Sequence, residues 1–92
     1  MIAKLTGKIE YVKDSYAVID VRGVGYKVFL SSFSLGKISG AEEVSLFIHT
    51  YVREDTLALY GFLTMEELEM FELLLSISGI GPKAGLGILS VA

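Results

Sequence analysis

The run Ser76-Ile77-Ser78-Gly79-Ile80-Gly81-Pro82-Lys83-Ala84-Gly85-Leu86-Gly87 holds the residue types that can grip an anion. Gly79 and Gly81 can take positive φ and admit a closely approaching backbone, and Pro82 lacks the N–H that a first helical turn leaves unpaired. A helix opening at Pro82 presents free amides and roughly half a positive elementary charge, and Lys83 adds a mobile cation. Gly79, Ile80, Gly81 and Lys83 are therefore the candidate phosphate-binding residues. The same residues would also make a plain corner between two helices, although a corner needs only one glycine. The run is not a nucleotide loop. The Walker pattern requires four residues between its first glycine and Gly-Lys, and the dinucleotide fingerprint requires a preceding strand, whereas a helical pattern precedes this turn.

The other chemistry-bearing residues are weaker candidates. Glu54 and Asp55 could serve acid–base or metal chemistry, but they fall between two strand patterns with no histidine or third acid close by, and Asp is an ordinary hairpin-tip residue. Gly23-Val24-Gly25 precedes the strand-like Tyr26-Lys27-Val28-Phe29 and reads as a turn. His49, the only histidine, lies in a strand pattern and receives no role. Tyr26, Phe29, Tyr51 and Tyr60 could stack on bases or fill the core of a small barrel. With no cysteine there is neither a disulfide framework nor a thiolate metal site, and no cofactor is expected.

The elements that must carry these residues follow from the hydrophobic pattern. From Ile2 to Tyr11, Lys4, Thr6, Lys8 and Glu10 alternate with Ala3, Leu5, Gly7 and Ile9, the period of a half-buried strand. After a turn at Lys13-Asp14-Ser15, strands are predicted over 16–22 and 26–30, and a loop over 31–43 has room for one short helical turn. Val44 to Val52 and Thr56 to Phe62 supply two more strands. Five short strands with a longer connection after the third suit a small barrel of the OB type. At Leu63 the pattern changes. Thr64 and Glu67 make a capping box, and Leu63 can staple to Leu68. Leu68, Phe71, Leu74 and Leu75 form a helical stripe, with Glu66, Glu67, Glu69 and Glu72 at the helix start and outer face. Gly79 is read as the stop, and a second helix runs from Pro82. The predicted fold is thus mainly β with α: an OB-fold barrel over 1–62, then the start of a helix-hairpin-helix domain over 63–92. Leu86, Ile88, Leu89 and Val91 lack partners in such a short helix pair, which reads as a fragment of a longer protein or as a chain that oligomerises.

The formal net charge of −3 counts against a simple nucleic-acid binder, because phosphate affinity is mostly electrostatic. The charge is segregated, however. Residues 1–40 carry six basic side chains against Glu10, Asp14 and Asp20, while residues 41–92 carry Arg53 and Lys83 against eight carboxylates. Such a chain can attract phosphate on one surface and repel it from another, although a solvated acidic helix gives the same count. No apolar run reaches the length of a membrane span, and the N-terminus reads as a strand rather than a secretory signal.

In this order and spacing, Met1-Ile2 with Leu5 and Gly7, Gly23-Val24-Gly25-Tyr26, Val52-Arg53-Glu54-Asp55, Leu59-Tyr60-Gly61-Phe62 and Gly79-Ile80-Gly81-Pro82-Lys83 resemble the RuvA family. These are the Holliday-junction-binding subunits of the bacterial branch-migration machine. The resemblance covers the whole chain and implies a homotetramer that binds four-way junction DNA. It implies no catalysis by the chain itself, which would serve recombination and DNA repair in the bacterial cytoplasm, including the response to DNA damage. Glu54 and Asp55 match the family's acidic pin, which repels phosphates near the crossover. Gly79, Ile80, Gly81 and Lys83 match the first helix-hairpin-helix, which grips duplex backbone without reading sequence. A second such motif and a C-terminal domain that engages the RuvB ATPase would lie beyond Ala92, and the RuvC resolvase is a further partner in prospect. A rival reading is a DNA glycosylase, since some carry this motif before a catalytic lysine or aspartate, but neither residue follows Lys83. A barrel used only for protein interaction is the other rival.

Overall fold

Alternation in the sequence becomes alternation in a barrel wall. In the computed structural model, which describes residues 1–90, Leu5, Ala17, Ile19, Val28, Leu46, Ile48 and Leu59 are buried inside the barrel. The intervening Lys4, Thr6, Lys8, Lys27 and Ser45 stay exposed. The strands are β1 (Lys4–Lys13), β2 (Tyr16–Val21), β3 (Val24–Phe29), β4 (Glu43–Arg53) and β5 (Thr56–Phe62). They close in the order β1-β2-β3-β5-β4, all antiparallel except β3 with β5. Strand β1 serves two neighbours, pairing Lys4–Lys8 with β4 and Lys8–Lys13 with β2. A bulge between Ile9 and Tyr11 bends it between them. Closure gives every strand two neighbours over part of its length, so the unpaired stretches of edge are short. This is the OB-type barrel that the alternation predicts.

Two connections differ from the sequence reading. The β2–β3 turn is Arg22-Gly23, with φ of 51° and 92°, so Val24 and Gly25 already belong to β3. Two positive φ values in a two-residue loop match the right-handed twist of the flanking strands, and Asp20 Oδ1 pins the turn by accepting the Gly23 N–H at 2.9 Å. The long loop after β3 holds the seven-residue helix α1 (Ser32–Ile38) rather than a single turn. Ser31 caps it, its Oγ accepting the Ser34 N–H at 3.1 Å. Serine and glycine lower its intrinsic propensity, so burial of Ile38 and partial burial of Leu35 against the barrel core stabilise it instead.

Beyond the barrel come α2 (Met65–Leu75) and α3 (Pro82–Ser90). Thr64 caps α2: its hydroxyl accepts the Glu67 N–H at 3.2 Å and donates to Glu67 Oε1 at 3.2 Å. Leu63 and Leu68 serve different cores, Leu63 packing against the barrel interior and Leu68 lying in a second cluster with Phe62, Phe71 and Leu86. That cluster also draws in Phe29, Phe47, Tyr60, Leu75 and Leu89. The strands are therefore two-sided. Val28, Ile48 and Leu59 point into the barrel, while their neighbours Phe29, Phe47, Tyr60 and Phe62 point outward and receive the helices. Val91, expected on the apolar face of α3, lies outside the described residues.

Candidate nucleic-acid interface

The glycine segment joins α2 to α3, and its hydrogen bonds define its shape. Helix α2 ends at Leu75, where the Ser76 N–H donates to Glu72 O and Leu73 O at 3.2 and 3.1 Å. The Ile77 N–H then reaches Leu74 O at 3.1 Å, tightening the last turn. Gly79 comes after this stop. It takes φ of 88° and reverses the chain, after which the Ile80 N–H donates to Ile77 O at 3.2 Å. Space around Gly79 is open, so the positive φ, not crowding, accounts for glycine there. Gly81 O accepts the first bond of α3, from the Gly85 N–H at 2.9 Å. With Pro82 as the first helical residue, the Gly81, Lys83 and Ala84 amides are first-turn donors without intrahelical acceptors. Gly81 and Lys83 are exposed and Ile80 is half-buried.

The barrel orients this hairpin. Phe71 of α2 is fully buried, with its ring 4.9 Å from Phe62, 5.4 Å from Tyr60 and 5.6 Å from His49. Gly85 permits the close approach of α3, since a β-carbon there would lie 3.2 Å from the Phe71 ring. Two polar links fix the rotation. His49 Nδ1 lies 2.9 Å from Glu72 Oε2, joining β4 to α2, and the Ser32 N–H donates to Ser90 Oγ at 3.1 Å, joining α1 to α3. Glu72 is exposed, as the sequence reading has it, but its carboxylate turns toward β4, where His49, given no role from the sequence, is its partner. Sequence reasoning missed this link. The available signal was the outward phase of β4, where Phe47, His49 and Tyr51 are too aromatic for a surface open to water.

Glu54 and Asp55 form the two-residue tip of the β4–β5 hairpin, which pairs as far as Arg53 with Thr56. Both carboxylates are exposed, and the pairing partners behind them, Val52 and Leu57, are 62% and 70% exposed. Among the described residues neither carboxylate has a basic partner, so the tip is a concentrated negative charge on an apolar stalk. Arg53 forms no ion pair with it. Its Nε donates to Tyr51 Oη at 2.7 Å, and its guanidinium carbon lies 4.9 Å from the Tyr51 ring centre.

One groove of about 420 Å³ lies between the strand that leads to the tip and the helical hairpin: Tyr51 and Arg53 line it from β4, and Leu75, Ile80, Gly81 and Pro82 from the hairpin, while Glu54 and Asp55 themselves are not among its lining residues. Lys83 lies apart from these residues, at a neighbouring hollow of about 410 Å³ lined also by Tyr60, Ser31 and Ser90. Tyr26, Phe29, Tyr51 and Tyr60, weighed above as base-stacking residues, are all half-buried. Phe29 and Tyr60 pack 5.5 Å apart, and Tyr51 meets Tyr60 edge-on at 6.1 Å. Burial, with a smaller contribution from the Tyr51 phenol, holds the Tyr60 phenol above its ordinary value of 10.0. Among the described residues no group of three or more acids and histidines is placed to hold a metal ion.

Fold and site together define an OB-type barrel with an attached helix-hairpin-helix segment. A family model described as the RuvA N terminal domain matches residues 1–61. A relative from Geotalea daltonii is 54% identical over 93 residues, covering 98% of this chain and 46% of the relative. One from Rickettsia bellii is 52% identical over 90 residues, covering 98% and 44%, and one from Acetivibrio thermocellus is 47% identical over 94 residues, covering 98% and 45%. Each bears the name Holliday junction branch migration complex subunit RuvA. The chain belongs to the RuvA family. It spans less than half the length of the curated relatives it matches.

Proposed function

We propose that the chain is the junction-binding part of a non-catalytic branch-migration subunit, holding four-way DNA by its backbone without reading sequence. The observation that carries this reading is the shared groove, with the strand leading to Glu54 and Asp55 on one wall and Ile80, Gly81 and Pro82 on the other. A phosphate on the amides of the α3 start gains hydrogen bonds and a favourable field, while a phosphate advancing toward the tip meets uncompensated carboxylates. Grip and repulsion at adjacent places favour a DNA that diverges over one that runs straight past. Gly79 turns the chain at positive φ, Gly81 has no such φ and contributes instead a free first-turn amide, half-buried Ile80 lines the groove beside it, and Lys83 supplies an exposed charge at the neighbouring hollow.

The RuvA name borne by the relatives supports assembly with further components of a branch-migration complex. A homotetramer would arrange four such grips around one crossover, and the RuvB ATPase would be a further component of that complex. The bacterial cytoplasm is the corresponding setting. A competition gel shift tests the central claim: labelled four-way junction should resist competition by linear duplex of the same sequence. Equal competition by the two DNAs rules out structure-selective binding.

A further inference from the structure

Arg53 stands next to the two acids of the tip, and the simplest electrostatic outcome would be an ion pair with one of them. Among the described residues it makes none. Residues two apart on a strand share a face, and Tyr51 and Arg53 do so on β4. The Tyr51 hydroxyl takes the guanidinium Nε at 2.7 Å. Only one of the five guanidinium N–H donors is used in this way, so the two terminal nitrogens keep the fork that matches a phosphate. Both residues line the groove whose opposite wall is Ile80, Gly81 and Pro82.

We propose that Arg53 is a phosphate-contacting residue of this groove and that Tyr51 is its positioning residue, keeping the charge out of an ion pair with the acidic tip. The proposal rests on the DNA-binding reading above and deepens it. The glycine hairpin and Arg53 hold one stretch of backbone from two sides. The change from attraction at Arg53 to repulsion at Glu54 within consecutive residues sets how far a duplex can advance along the face. Arg53 thereby contributes to the discrimination between straight and branched DNA as well as to affinity.

The test measures binding of a labelled four-way junction and a linear duplex across a salt series, for the unaltered protein, Arg53→Gln, Arg53→Lys, Tyr51→Phe and the Arg53→Gln/Tyr51→Phe double variant. Arg53 is exposed, and unchanged thermal unfolding checks that the fold is intact. Arg53→Gln should weaken junction binding about tenfold and lower the slope of log affinity against log salt by about 0.9 for each subunit engaged. Arg53→Lys should keep the slope and lose part of the affinity. Tyr51→Phe should lose about threefold with the slope kept, and should have no further effect once Arg53 is Gln, as expected for a residue acting through its partner. Junction binding with the same salt slope in the unaltered protein and Arg53→Gln overturns the phosphate contact while leaving the DNA-binding reading in place. Additive effects of the two substitutions overturn the positioning role. Absence of junction binding by the unaltered protein overturns the functional reading and this proposal together.

Discussion

Lys83 stands on the exposed first turn of α3, where its ammonium can follow a DNA backbone but has no rigid partner to aim it. Lys83→Ala should therefore weaken binding equally across DNA sequences and reduce the salt slope by about 0.9 per engaged subunit, as fluorescence titration at several salt concentrations would reveal. An unchanged slope removes Lys83 from the phosphate contacts. Tyr60 makes a different kind of prediction. Its phenol is neutral when protonated, and the fold holds it protonated more tightly than an open chain does. That contribution to stability is complete below pH 10.0, the ordinary phenol value, and is lost as pH rises through the higher folded-state value. Urea unfolding should show the unaltered protein losing more stability than Tyr60→Phe between pH 8 and strongly alkaline solution. Parallel losses in the two proteins would assign the effect to other groups.

Elements carry what single residues cannot. The β4–β5 hairpin projects Glu54 and Asp55 as a pair, and Glu54→Gln with Asp55→Asn should raise affinity for linear duplex severalfold by removing repulsion, narrowing the preference for junctions. Unchanged or weaker duplex binding in a gel shift would count against the pin. The placement of α2 and α3 depends on Phe71, and Phe71→Ala should cost about 3–5 kcal/mol in chemical denaturation. A loss under 1 kcal/mol would show that the cluster is not what holds the helices. At this scale the sequence was partly legible. The strict alternation of Leu46 and Ile48 with polar or aromatic neighbours marked β4, and Thr64 with Glu67 marked the start of α2. The turn at Arg22 was not legible, because only the Asp20 bond to Gly23 and a left-handed φ at a bulky residue place it there. The length of α1 was hidden for a related reason, since its stability comes from Ile38 meeting a core built by distant strands. The His49 to Glu72 link joins positions 23 residues apart and leaves no local pattern at all.

For the whole molecule, the charge segregation seen in the sequence acquires locations. The six basic side chains of residues 1–40 lie on β1, β3, α1 and the β2–β3 turn, Arg53 and Lys83 lie on β4 and α3, and most carboxylates of the second half lie on α2 and the β4–β5 tip. Uneven charge of this kind acts on an approaching polyanion before contact, an effect that fades over about 10 Å at 0.1 M salt. Val52, Leu57, Leu73, Ile77 and Ile88 are exposed apolar side chains, area that association of copies would bury. Light scattering should give a four-chain mass, and dilution into the monomer range should weaken junction binding by far more than the loss of one grip in four. A monomer that binds junctions with undiminished affinity would remove multivalency from the mechanism.

The one parallel pairing in the barrel, Val28 with Leu59 and Phe29 with Tyr60, also has a kinetic meaning. It joins segments 31 positions apart, a span that the β4–β5 hairpin shortens but whose closure still costs chain entropy. Phe29 and Tyr60, brought side by side by that step, are also part of the outer seat against which α2 and α3 pack. The helical hairpin therefore has no complete docking surface until the barrel has shut. An open barrel would leave the glycine segment unanchored, so correct presentation of the grip reports closure of the whole molecule.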